Sequence, residues 1–276
     1  MIRLQKLLAE AGLGSRRTIE GWIRAGRVKV AGRTARLGDR ATSTDDIQVD
    51  GRRVKVPGPA GAGREVLLYY KPLGEVTTRS DPEGRPTVFE RLPPPSRGRW
   101  VSVGRLDVGT SGLLLLTTDG ALAHRLMHPS SEIQREYLVR LRGRPGATAI
   151  AQLLLGVQLE DGAASFDRIE PASWAEGPSR ALRPVDPGTG GTDTFRVVLH
   201  EGRNREVRRL WQAVGFEVKR LMRVRYGPVE LPRDLKPGGT RRLSPASIER
   251  LMAAIPGKPP SAGRLRSQAR ARPGAG

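Results

Sequence analysis

Apolar residues Leu4, Leu7, Leu8 and Ala11 recur at helical spacing, with Arg3, Lys6 and Glu10 between them. They predict an amphipathic helix over residues 2–11. Gly12 and Gly14 stop it, and Ser15 caps a second helix with Ile19, Trp22 and Ile23 on its apolar face, ended by Gly26. The period then drops to two. Val28 and Val30 flank Lys29 before an Ala31-Gly32 turn, and Ile47 and Val49 precede Asp50-Gly51, a pattern of short hairpin strands. Past residue 63 the apolar positions become continuous, at Val66 to Tyr70 and Leu113 to Leu116, as in short buried strands. Tyr137 to Leu141 alternates like a strand and Phe195 to Leu199 reads as another. Helical spacing covers Ala121 to Met127, Ala147 to Leu155, and Asn204 to Val214, with Val207, Leu210, Trp211 and Val214 inward.

The breaks in this pattern mark domains. The run PGPAGAG at 57–63 divides the chain into residues 1–58, a linker at 59–63, and a second domain at 64–256. Residues 173–193, rich in Pro and Gly, read as a surface loop, and 257–276 as a disordered basic tail with five Lys/Arg and no acid.

Charge narrows the partners. The chain carries 48 Lys/Arg against 28 Asp/Glu, a net +20, so a polyanion is expected, nucleic acid first. Residues 1–58 hold 13 basic against 6 acidic side chains, with Arg3, Lys6, Arg16, Arg17, Arg24, Arg27 and Lys29 on two helices and the turn that follows. Such a compact patch suits phosphates. No apolar run reaches spanning length, and the first residues lack a signal-peptide core; a cytoplasmic protein without membrane contact is expected. With no cysteine, thiolate chemistry and cysteine-ligated metals are excluded. His124 and His128, four apart, lack a matching third ligand, so no metal is expected.

Candidate chemistry gathers at GRLDVGTSGLLLLTTDG, residues 104–120, where Asp107 sits in a glycine-rich loop feeding an apolar strand. A phosphate-cradling loop would need Gly-Lys-Ser/Thr, but Leu113 follows Gly112. A haloacid-dehalogenase-type phosphotransferase would need an Asp where Gly109 stands. A glycosidase would need a second carboxylate, and Asp119 lies beyond the apolar block. One unpaired carboxylate without cofactor fingerprint suits bond breaking and remaking within one bound substrate.

The segment from 104 to 120 resembles the central motif of pseudouridine synthases of the RsuA/RluB type, which modify ribosomal RNA. The similarity continues through KPLGEVTT at 71–78, MHPSSEIQREYLV at 127–139, EGRNREVRRLWQAVG at 201–215 and RLMRVRYG at 220–227. Residues LQKLLAEAGLGSRRTIEGWIRAGRVKVAG resemble the RNA-binding domain of ribosomal protein S-four. The resemblance implies an α+β fold: a catalytic domain on a long mixed, mostly antiparallel sheet, preceded by a small S-four-like α/β domain. It implies that Asp107 is the essential aspartate, that Arg208 is its basic partner in a bidentate pair, and that Tyr137 stacks on the target base. By the same resemblance Arg105 fills the gap left by a flipped nucleotide and Leu221 floors the pocket. Arg203 and Arg209 are further expected RNA contacts. No cofactor is implied.

Glu206 replaces the Gln of many relatives, and the EGRNREVRR form resembles the large-subunit branch. The expected substrate is therefore 23S ribosomal RNA or a large-subunit precursor, bound by a monomer. Two other readings compete: a noncatalytic RNA-binding ribosome-assembly factor, and a DNA-binding regulator built on the N-terminal helices.

Overall fold

In the computed structural model the described residues are 1–56, 63–174 and 193–256. The expected linker apart from Gly63, the interior of the 173–193 loop, and the 257–276 tail lie outside them.

The N-terminal unit follows from its pattern. Helix Leu4–Glu10 is shorter than the spacing suggests, because Ile2–Arg3 forms a strand against Arg40–Ala41. The second helix, Arg16–Arg24, is capped by Ser15, whose side chain accepts the Thr18 N–H at 3.0 Å. Both expected hairpin turns exist, with Ala31, Gly32, Asp50 and Gly51 at positive φ. Leu4, Leu8, Ile19 and Ile47 are fully buried in one core.

The larger unit is built on a nine-stranded sheet. Its main path runs Arg168–Pro171, Thr194–Leu199, Arg135–Arg142, Glu217–Tyr226, Ser111–Thr117, Val66–Lys71 and Thr240–Arg242. Its pairings among the described residues are antiparallel except one: Glu217–Tyr226 runs parallel to Ser111–Thr117, with Met222 opposite Ser111 and Arg223 opposite Gly112. The α+β expectation is met. Every residue of Ser111–Thr117 is buried, as a central strand covered on both faces requires.

Gly112 makes the parallel junction possible. Its φ is +102°, and an added Cβ would lie 2.8 Å from the Arg223 nitrogen and 2.9 Å from Met222 Cγ. The start of strand Ser111–Thr117 therefore meets the interior of strand Glu217–Tyr226 closely where the Asp107 loop enters the sheet. On one side, helix Glu206–Ala213 packs Trp211, fully buried, against the rings of Phe166 and Phe195 at 5.9 and 5.4 Å. The basic strand 217–226 and the helix Pro245–Ala253 are elements the hydrophobic pattern did not assign.

Candidate active site

Two clipped loops set the position of Asp107. Lys71, fully buried at the end of its strand, donates from Nζ to the carbonyls of Pro72 at 2.9 Å and Thr110 at 2.8 Å. Burial lowers its pKa to about 8, opposed by the carboxylates of Glu75 and Asp107. The Gly74 N–H bonds the Val108 carbonyl at 3.0 Å, and the Thr110 N–H bonds the Asp107 carbonyl at 3.0 Å, closing the turn. Asp107 is thus carried on a tight turn braced from the 71–74 segment, with its side chain 35% exposed.

That side chain opens into a cleft of about 460 Å³. Of the residues singled out in the sequence, Arg105, Asp107, Tyr137, Arg203 and Leu221 line it. Tyr137 is half-buried on strand Arg135–Arg142, while Leu221 is buried on Glu217–Tyr226. The antiparallel pairing of these strands puts Tyr137 opposite Arg223 and Val139 opposite Leu221.

The expected bidentate pair between Arg208 and Asp107 is not formed. Arg208 donates from Nη2 to the Gly109 carbonyl at 2.7 Å and from Nη1 to the Val218 carbonyl at 2.9 Å. Its helix directs the guanidinium across the back of the Asp107 turn, where these two carbonyls take its donors. Burial lowers its pKa, Arg205 pushes the same way, and Asp107 opposes them. Among the described residues the cation within 4 Å of Asp107 is Arg205, whose Nη1 lies 3.9 Å from Oδ2. Arg205 caps its helix at φ +50°, a left-handed conformation that costs a non-glycine residue energy. No sequence signal pointed to it, because Arg205 falls inside the helix expected over residues 204–214, whereas the observed helix begins at Glu206.

Other expected contacts also find internal partners. Arg209 makes a bidentate pair with Asp161 at 2.8 and 2.9 Å, and Arg203 donates to the Ala163 carbonyl at 2.8 Å and pairs with Glu201 at 2.5 Å. Neither presents a free guanidinium to a phosphate. In the N-terminal unit Arg27 is held bidentately by Asp50 at 2.7 and 2.5 Å, and Lys6 pairs with Glu10 at 3.7 Å. Arg3, Arg16, Arg17, Arg24 and Lys29 are exposed and form its basic face.

Asp119 is structural: its carboxylate caps helix Gly120–Met127 and pairs with Arg64 at 2.8 Å. His128 bonds Ser130 at 2.8 Å, and no cluster of three metal-ligating side chains occurs among the described residues. No helix among them is long and apolar enough to cross a membrane.

A second carboxyl group does reach the cleft lining. Glu206 accepts the Arg203 N–H at 3.0 Å, tying the helix start to the turn before it. Burial raises its pKa to about 7, and neighbouring Glu201 adds to the rise. Arg223, 2% exposed, and Thr110 also face the cleft, and sequence reasoning found neither.

Residues 65–213 match the family described as RNA pseudouridylate synthase, and residues 2–47 match the S4 domain. The chain is 51% identical over 255 residues to ribosomal large subunit pseudouridine synthase B of Salmonella typhimurium, covering 92% of this chain and 83% of that protein. Against the protein of the same name from Pseudomonas aeruginosa it is 50% identical over 257 residues, 93% of this chain but 63% of that relative's length. A solved crystal structure of a pseudouridylate synthase superposes with a TM-score of 0.61 at 27% identity, covering 91% of this chain and all of that one.

Proposed function

The chain belongs to the RNA pseudouridylate synthase family, and on that footing we propose that it converts a specific uridine of 23S ribosomal RNA, or of a large-subunit precursor, to pseudouridine. The reaction breaks the C1′–N1 bond and forms C1′–C5; C5 gives up its proton and N1 gains one, so substrate and product have the same atoms. No external reactant is required. Asp107 supplies the essential carboxylate, either by adding to sugar or base or by removing a ribose proton.

The observation that carries this reading is the placement of Asp107 at the mouth of a cleft shared with Tyr137, Leu221 and Arg105. Leu221 and the Tyr137 ring offer apolar surface to a flat base, and Arg105 stands beside the carboxylate where a duplex would lose its flipped nucleotide. Arg205 balances the charge of Asp107, while Arg208 holds the turn that carries it. The basic face of the N-terminal unit supplies sequence-independent phosphate affinity. We take the protein to act as a monomer in the cytoplasm. The names of the relatives favour catalysis over an assembly factor that only binds RNA.

Pseudouridine mapping of ribosomal RNA from cells with and without this protein tests the reading. The expected difference is confined to large-subunit RNA. Identical maps would leave RNA binding without catalysis.

A further inference from the structure

The two units touch at a pair of glycines. Gly12, just after the first helix, and Gly98 are both at positive φ, and a Cβ added to Gly12 would lie 3.0 Å from the Gly98 carbonyl. One added to Gly98 would lie 2.9 Å from the Glu10 carbonyl oxygen, so the backbones meet with no room for a side chain. Gly98 sits on a loop pinned from within its own unit. Trp100 donates from Nε1 to the Pro93 carbonyl at 2.7 Å, the Ser96 N–H bonds Glu65 Oε1 at 2.7 Å, and Arg242 donates to the Pro94 carbonyl at 2.9 Å.

Arginines gather beside this contact. Arg99 follows Gly98, and Arg16 opens the second N-terminal helix. Arg79 donates to the Trp100 carbonyl, with its guanidinium carbon 4.3 Å from the centre of the Phe89 ring. Burial lowers the Arg99 pKa, and the charges of Arg79 and Arg16 lower it further. Arg16 and Arg99 form no side-chain hydrogen bond or ion pair among the described residues. Two acids stand near the seam, and both are engaged. Glu10, which also feels Arg16, pairs with Lys6 at 3.7 Å, and Asp119 pairs with Arg64 at 2.8 Å. Three cations held on a fixed frame repel one another and lack an anion of their own.

We propose that Arg16, Arg79 and Arg99 form one phosphate site at the seam, occupied by the backbone of the RNA whose target nucleotide enters the cleft. This rests on the functional reading above and adds a contact to which both units contribute. Guanidinium groups suit it, since each presents forked N–H donors to phosphate oxygens and stays charged under burial. The reach is sufficient. Arg99 precedes Arg105, on the cleft rim, by a stretch of chain that spans at most about 22 Å even when fully extended. A strand leaving the cleft therefore meets the seam within a few nucleotides of the target. Because the phosphate is shared, RNA binding also holds the N-terminal unit against the catalytic one.

The test measures the affinity of the full chain for a stem–loop RNA spanning the mapped site, over a range of salt. Arg99→Gln is expected to weaken binding about tenfold and to lessen the slope of log K against log salt by about 0.7 to 0.9. Its Tm is expected to be no lower than that of wild type, since the change relieves repulsion. A lower Tm would mark Arg99 as structural and overturn the proposal. Arg16→Gln and Arg99→Gln combined are expected to cost less than the product of the single effects, by about fivefold or more, because they share one phosphate. Arg17→Gln, on the same helix as Arg16, is expected to multiply with Arg99→Gln; equal coupling there would reduce the effect to general charge and overturn the proposal. So would unchanged affinity in Arg99→Gln, or independent effects of Arg16 and Arg99. Wild-type turnover of the same RNA is followed in parallel: absence of pseudouridine sinks the functional reading, whereas turnover without Arg16–Arg99 coupling sinks only this one.

Discussion

Arg205 Nη1 stands 3.9 Å from Asp107 Oδ2, while Arg208, on the same helix, turns its guanidinium to the carbonyls of Gly109 and Val218. Two arginines three positions apart thus divide one task. One balances the charge of the carboxylate, and the other fixes the turn beneath it. Arg205→Gln is accordingly expected to slow single-turnover pseudouridine formation about tenfold or more, with Arg205→Lys retaining most of the rate. An unchanged rate in Arg205→Gln would remove Arg205 from the site.

Arg208→Lys should behave differently. A lysine cannot reproduce the fork that reaches two carbonyls, so the variant is expected to lose both rate and about 1–2 kcal/mol of stability. Urea unfolding alongside the turnover assay checks this. Loss of rate with full stability would instead support a direct role on substrate.

Lys71 is expected to act through the fold. Lys71→Met would leave the Pro72 and Thr110 carbonyls without their donor and free the Asp107 turn. The expected cost is about 2–4 kcal/mol, read by chemical denaturation. A variant as stable as wild type would contradict the clip.

Glu206 sets a pH dependence. Its folded pKa is raised to about 7 by burial, with Glu201 adding to the shift, above its unfolded value of 4.5. Between these values the folded state holds a proton that the unfolded chain has released, so this group's contribution to stability falls as pH rises and levels off above 7. Glu206→Gln removes that penalty. At pH 8 its Tm should exceed that of wild type by about 2–4 °C, with the difference shrinking toward pH 5. A gap independent of pH would refute the assignment.

Much of this molecule could be read in its sequence, and the failures share a cause. Helix Ala147–Leu155 matches its expected bounds, because its apolar run starts after Gly146 and stops at Gly156. Leu113 to Leu116 lies in a fully buried strand, since nothing but burial suits four consecutive leucines. Strand Glu217–Tyr226 escaped because Lys219, Arg220, Arg223 and Arg225 interrupt its apolar period. Arg223 is buried against a carbonyl and a tyrosine ring, and Arg225 pairs with buried Glu136 at 2.7 Å. The destination of an arginine depends on which strand lies beside it. The parallel junction that decides this pairs residues far apart in the chain. The bidentate pair expected between Arg208 and Asp107 is absent for the same reason: the two donors of Arg208 go to backbone carbonyls that residue types do not reveal.

The central claim is that Asp107 performs chemistry on RNA that the rest of the chain binds. The most direct measurement is pseudouridine content in large-subunit RNA from cells lacking the protein, supplied either with wild type or with Asp107→Asn. Wild type should restore the modification. Asp107→Asn should restore none, while its purified chain binds the same RNA within about threefold of wild type at matched salt. Restored modification by Asp107→Asn would contradict the account.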